Sequence, residues 1–105
     1  MKHKHISKEQ LPTYQKFGTR IRVNFDEQQI TETEEDGTET IFYEYRFVDF
    51  QKTSTRDQRI EAIIANKYPT YGSELAAINN GGTEAEDYQA HRTLAKQLAD
   101  GSYEI

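Results

Sequence analysis

The segment from Thr19 to Phe50 constrains the fold more than any other part of the chain. Ile21, Val23 and Phe25 alternate with Arg22, Asn24 and Asp26, and Ile41, Tyr43, Tyr45 and Phe47 alternate with Phe42, Glu44, Arg46 and Val48. A period of two is the signature of strands with one buried face. Between the runs lies Glu35-Asp36-Gly37-Thr38, and Asp-Gly is a favoured central pair for a two-residue type I′ turn because both positions need positive φ. The segment reads as a long antiparallel hairpin over about 19–50.

A two-residue loop at Asp36-Gly37 sets a register in which Glu35 faces Thr38 and Ile30 faces Tyr43. Carried on unbroken, that register puts Ile21, Val23 and Phe25 on the side opposite Tyr43 and Tyr45. One extra residue around Asp26–Gln29, a β-bulge, brings the two apolar sets onto one face and bends the hairpin. The alternative is that both faces are covered near the base, where Phe42, Val48 and Phe50 supply a second apolar face. The sequence favours the bulge.

The C-terminal half has helical periodicity. Ser54 or Thr55 can cap a helix over about 55–68, whose apolar positions Ile60, Ile63, Ile64 and Tyr68 recur at three- and four-residue spacing and which ends before Pro69. Ser73 opens a second helix over about 73–79, stopped by Asn79-Asn80-Gly81-Gly82. Thr83 to Glu86 matches a capping box for a third, over about 84–99. The fold class is therefore α+β: a long antiparallel β-hairpin followed by three short helices, in a single small domain over 1–105 with a flexible basic N-terminus over about 1–15. A short helical turn at Ser7–Leu11 precedes Pro12.

Composition bears on how such a chain can be held together. Leu, Ile, Val and Phe together contribute 20 of 105 residues and the formal charge is −5, a pairing that borders on disorder. Seven Tyr beside five Phe argue for an ordered, thin core, since aromatics bury large areas per residue. There is no Cys, which excludes a disulfide framework, a thiolate zinc site and a cysteine nucleophile. No apolar run approaches a membrane span and the start lacks the apolar stretch of a secretory signal, so a soluble protein with no membrane partner is expected.

Charge is unevenly placed. Residues 1–22 carry six Lys and Arg against Glu9 alone, whereas residues 23–45 carry eight Asp and Glu and no base. This polarity fits a solvated acidic hairpin tip with a basic start, and also electrostatic complementarity to a partner or to another copy.

Catalytic and ligand-binding patterns are weak. His3 and His5 sit two apart in a basic terminus, without a third ligand. Asp87 and His91, at i and i+4 on the last helix, have the spacing of an orienter and a base, but no nucleophile accompanies them and a surface helix pair explains them as well. Asn80-Gly81-Gly82-Thr83 precedes a helix, but Glu84, Glu86 and Asp87 in its first turn oppose an anion. Direct nucleic-acid binding is disfavoured, because the strand aromatics belong to the most acidic third of the chain. No cofactor, metal site or enzymatic activity is expected.

Residues 56–99 carry Arg59-Ile60-Glu61-Ala62-Ile63-Ile64 leading to Lys67-Tyr68-Pro69, then Ser73-Glu74-Leu75-Ala76-Ala77-Ile78-Asn79, Glu86-Asp87-Tyr88 and Ala95-Lys96-Gln97-Leu98-Ala99. In these runs the chain resembles short proteins of bacteriophages and prophages, often encoded among virion structural genes. The resemblance covers under half of the chain and brings no catalytic residue. It implies an accessory or minor structural protein, tail- or particle-associated, located in the bacterial host cytoplasm or the phage particle. Together with the charge pattern it leads to the expectation of a non-enzymatic interaction protein that contacts a protein partner or itself through Glu32, Glu34, Glu35, Glu39, Phe42, Tyr43 and Tyr45. The alternative is a small acidic regulator or inhibitor acting on a nucleic-acid-binding protein through the acidic hairpin.

Overall fold

The computed structural model describes residues 4–105, so His3 lies outside the described residues. Strands β1 (Lys4–Ser7), β2 (Tyr14–Phe17), β3 (Arg20–Thr33) and β4 (Glu39–Gln51) precede helices α1 (Arg56–Lys67), α2 (Tyr71–Asn80) and α3 (Gly82–Gly101), an α+β architecture. Two compact units, Met1–Asp49 and Phe50–Ile105, are distinguished along the chain. Among the described residues of the N-terminal stretch, β1 and the start of β2 are strands, and Ser7–Leu11 holds no helical turn.

The sheet is antiparallel, in the order β1-β4-β3-β2, so the central hairpin is flanked by the two strands that precede it. β1 pairs with β4 from Lys4↔Arg46 to Ser7↔Tyr43, and β2 pairs with β3 from Tyr14↔Val23 to Phe17↔Arg20. Because β1 and β2 occupy opposite edges, residues 8–13 must cross the hairpin. The seven steps from Ser7 to Tyr14 reach at most about 25 Å, and the crossing must cover three interstrand spacings, roughly 14 Å, while also running along the strands from the level of Tyr43 to that of Val23, which leaves little slack. Side chains of the face beneath hold it down. The Leu11 N–H donates to the Tyr45 hydroxyl at 2.8 Å, that hydroxyl donates to Glu27 at 2.5 Å, and Asn24 Nδ2 donates to the Pro12 carbonyl at 2.9 Å. Tyr45 and Asn24 are both buried.

The hairpin loop differs from the expected type I′ turn. Gly37 N–H donates to the Glu34 carbonyl at 3.0 Å and Glu34 N–H to the Thr38 carbonyl at 2.8 Å, which makes Glu35-Asp36-Gly37 a three-residue loop with Gly37 at φ 87°. The closing pair is therefore Glu34 with Thr38, one residue away from the register expected. The Tyr45 to Glu27 bond fits this new register. Farther down, Arg22 forms a bidentate pair with Asp49 at 2.7 and 3.0 Å and lies 4.3 Å from the Phe47 ring centroid, so Arg22 shares the face of Phe47 and Asp49. Between Glu27 and Arg22 the alternation must slip by one residue, and Asp26 there has φ 51°, the left-handed conformation of a bulge.

The expected bulge thus has a different consequence. With the extra loop residue also present, Ile21 and Val23 point to the face opposite Tyr45 and Phe47, as in the alternative with apolar residues on both faces. Ile21, Val23, Phe25 and Tyr45 are all buried.

In the helical unit, local signals set the helix ends. Thr55 and Gln58 form a reciprocal capping box on α1, and Tyr68 leaves the helix before Pro69. The cap of α2 is Thr70, with Ser73 as the far member of its box, so the helix starts earlier than Ser73 alone indicates. Gly81 at φ 64° makes the whole α2–α3 connection, and α3 begins at Gly82 with no side-chain cap in place of the expected Thr83 box. Ile63, Ala77, Tyr88, Ala95 and Leu98 form the core. Tyr68 meets Tyr88 edge to face at 4.9 Å.

Arg59 is buried at the start of α1 with 1% exposure. Its guanidinium donates to Ser54 Oγ at 3.0 Å, Ser102 Oγ at 2.6 Å and the Lys52 carbonyl at 2.8 Å, and lies over the Tyr103 ring at 3.9 Å and the Phe50 ring at 5.1 Å. No carboxylate is among these partners. The charge is met by oxygen dipoles and π faces, including the C-terminal end of α3, where helix carbonyls favour a cation. One side chain thus ties together the entry to α1, the end of α3 and the chain terminus. Replacing Arg59 by Met is expected to cost on the order of 2–4 kcal/mol in urea unfolding followed by helical circular dichroism. Arg59→Lys should lose most of the same amount, because an ammonium lacks the planar fork; a Lys variant as stable as the parent contradicts this account.

Candidate interaction surface

The flanking strands stop well short of the hairpin tip. β1 reaches Tyr43 and β2 reaches Val23, with one further backbone bond from Asn24 N–H to the Thr13 carbonyl at 2.8 Å. From about Glu27 to Phe42 the hairpin is a two-stranded arm, whose β3 side extends seven residues, about 24 Å at strand rise. Each edge of the arm carries backbone groups that pair with no neighbouring strand.

Counting back from Glu34 and Thr38, Ile30 faces Phe42 and Glu32 faces Thr40 on one side of the arm, while Ile41 and Tyr43 lie on the other. Glu32, Glu34, Glu35 and Glu39 are exposed, and the structure gathers them at the tip with Asp36. Asp36 Oδ1 accepts from Thr38 N–H at 2.9 Å, and this bond holds its carboxyl below the usual carboxylate range. Asp36 therefore stays ionised to lower pH than an isolated carboxylate. Phe42 and Tyr43 are half-buried, and Ile41 is 43% exposed.

Tyr45 stands apart from the other sequence candidates. It is 3% exposed and anchors the crossing segment rather than facing a partner. Loss of water around its hydroxyl, reinforced by the bond to Glu27, raises its pKa.

The remaining sequence constellations do not assemble a reactive centre. His91 is buried and its Nε2 donates to the Ile63 carbonyl at 2.8 Å, tying α3 to α1, while Asp87 is exposed. Neither the catalytic nor the surface-pair reading anticipates that role. Ser73 serves as a cap member, and Asn80 Nδ2 bonds Glu84 at 2.7 Å across the Gly-Gly connection. Among the described residues no group of three or more His, Cys, Asp or Glu comes together to hold a metal ion. Among the same residues no helix is long and apolar enough to cross a membrane. Ile60 and Ile64, two of the apolar periodic positions of α1, line an open groove of about 700 Å³ together with Leu75, Ile78, Arg92 and Lys96. Compared with protein-family models, curated proteins and solved structures, the chain matches none.

Burial also raises the Tyr88 phenol, whose hydroxyl donates to Glu74 at 2.7 Å. A raised phenol pKa means that the folded state holds the proton more tightly than the unfolded chain. Both groups thus contribute stability that is fully present below about pH 10 and is lost as pH rises through their folded values. Tyrosinate absorbance should show a late phase above the main titration that loses the contribution of one phenol in Tyr45→Phe. The variant should also lose roughly 1–2 kcal/mol through the stranded Leu11 N–H. A titration with no late phase, or one unchanged in the variant, refutes the assignment.

Proposed function

We propose that this chain is a non-enzymatic interaction protein whose acidic β-arm docks on a basic protein surface. One observation carries the reading: the hairpin outruns both flanking strands, so that residues 27–42 expose free strand edges and carboxylates from a stretch, 23–45, with no Lys or Arg. Free edges can accept an extended partner strand, whose main-chain bonds supply affinity while side-chain charge selects the partner. The same carboxylates discourage pairing between two arms. The half-buried Phe42 and Tyr43 supply apolar contact beside the charge.

The resemblance of residues 56–99 to phage and prophage proteins supports an accessory or minor structural role in a particle. A gene position among virion structural genes is what that role requires.

The arm is tested with an alternating Lys-Val octapeptide titrated into the full chain and followed by amide chemical shifts. Shift changes should fall within residues 27–43. They should weaken by about tenfold or more when Glu32, Glu34, Glu35 and Glu39 are all changed to Gln. Shifts spread over the carboxylates of the helical unit, or undiminished in the Gln variant, refute the arm as the docking element.

A further inference from the structure

From the helical unit alone we infer that the groove between α1, α2 and α3 is a self-complementary face that joins two copies of this chain. Three helix-periodic stripes converge on it. α1 contributes Ile60 and Ile64 with Asp57 and Glu61 beside them, α2 contributes Leu75 and Ile78, and α3 contributes Arg92 and Lys96. Leu75 is 38% exposed, Ile78 44% and the neighbouring Tyr71 73%, an apolar concentration that one molecule leaves in water.

The charges decide the occupant. The acids stand four residues apart on α1 and the bases four residues apart on α3. α1 and α3 run antiparallel, as shown by the Arg56 to Asp100 and His91 to Ile63 contacts, which set Asp57 and Glu61 opposite positions 98 and 94, so the two rows overlap along the groove with an offset of about two residues, roughly 3 Å. Among the described residues none of the four has an ion-pair partner. An occupant must therefore bring apolar groups, a basic row against α1 and an acidic row against α3. The same face of a second molecule brings all three. A two-fold axis lying in the interface, along the groove and between the rows, sets Asp57 and Glu61 of each copy against Arg92 and Lys96 of the other, and the α2 apolar residues against their own copies. This is the residue reciprocity that isologous contacts require.

The inference is independent of the arm, and the test separates them. Sedimentation velocity of the full chain should show a dimer that forms with rising concentration and persists when the four arm glutamates are changed to Gln. Leu75→Asp with Ile78→Asp should give the monomer mass. The charge rows are tested with two variants that retain the parent circular dichroism. One carries Asp57→Lys and Glu61→Lys, the other Arg92→Glu and Lys96→Glu. Each alone should be monomeric through self-repulsion, and an equal mixture should regain the dimer mass. A parent chain that is monomeric at every concentration, single variants that still dimerise, or a mixture that stays monomeric each overturns the inference.

Discussion

A six-residue crossing governs the sheet unit. With β1 and β2 on opposite edges, residues 8–13 must pass over the hairpin, and their shortness keeps both flanking strands near its base. The Tyr45 hydroxyl and the Asn24 amide hold the crossing in place. The length of the arm follows from that restriction, since β3 and β4 continue beyond any neighbour able to cover their edges. A longer connection could let β1 climb toward the tip, and the acidic stretch would then be an inner part of the sheet.

The helical unit depends on a different kind of constraint. A thin aliphatic core leaves much of the cohesion to polar and aromatic groups with defined geometry. Arg59 gathers Ser54, Ser102 and the Lys52 carbonyl between two rings, His91 ties α3 to the Ile63 carbonyl, and Tyr88 joins α3 to Glu74 of α2. A buried guanidinium with no carboxylate is tolerable because it is weakly hydrated and all its neighbours are aimed at it. With these ties in the interior, several of the large aliphatic side chains of α1 and α2 remain on the groove side.

The central hairpin and the three helices were legible because their signals are local: alternation over many residues, an Asp-Gly turn, capping residues and a proline stop. β1 and β2 were not. Lys4-His5-Ile6-Ser7 and Tyr14-Gln15-Lys16-Phe17 are too short to show a period, and they become strands through pairing with residues distant in sequence. The register misreading has a similar origin, because Asp-Gly suits both a two-residue loop and a three-residue loop with glycine last. Among the interaction candidates, the tip carboxylates could be read from charge alone. Tyr45 could not be separated from Tyr43, since both alternate correctly and only the crossing segment buries one of them. Helical spacing likewise marks which side chains share a face, but not whether that face is covered, which is why Ile60 and Ile63 looked alike.

The account stands on the strand edges of the arm being unpaired beyond the reach of β1 and β2, and amide hydrogen exchange along β3 and β4 tests that most directly. The outward-pointing amides of residues 28–33 and 39–42 should exchange faster than those of residues 20–23 and 43–46 by on the order of a hundredfold, because the latter alone are bonded on both sides. Arm amides as slow as those at the base would mean that another part of the molecule covers the arm, and would contradict the account.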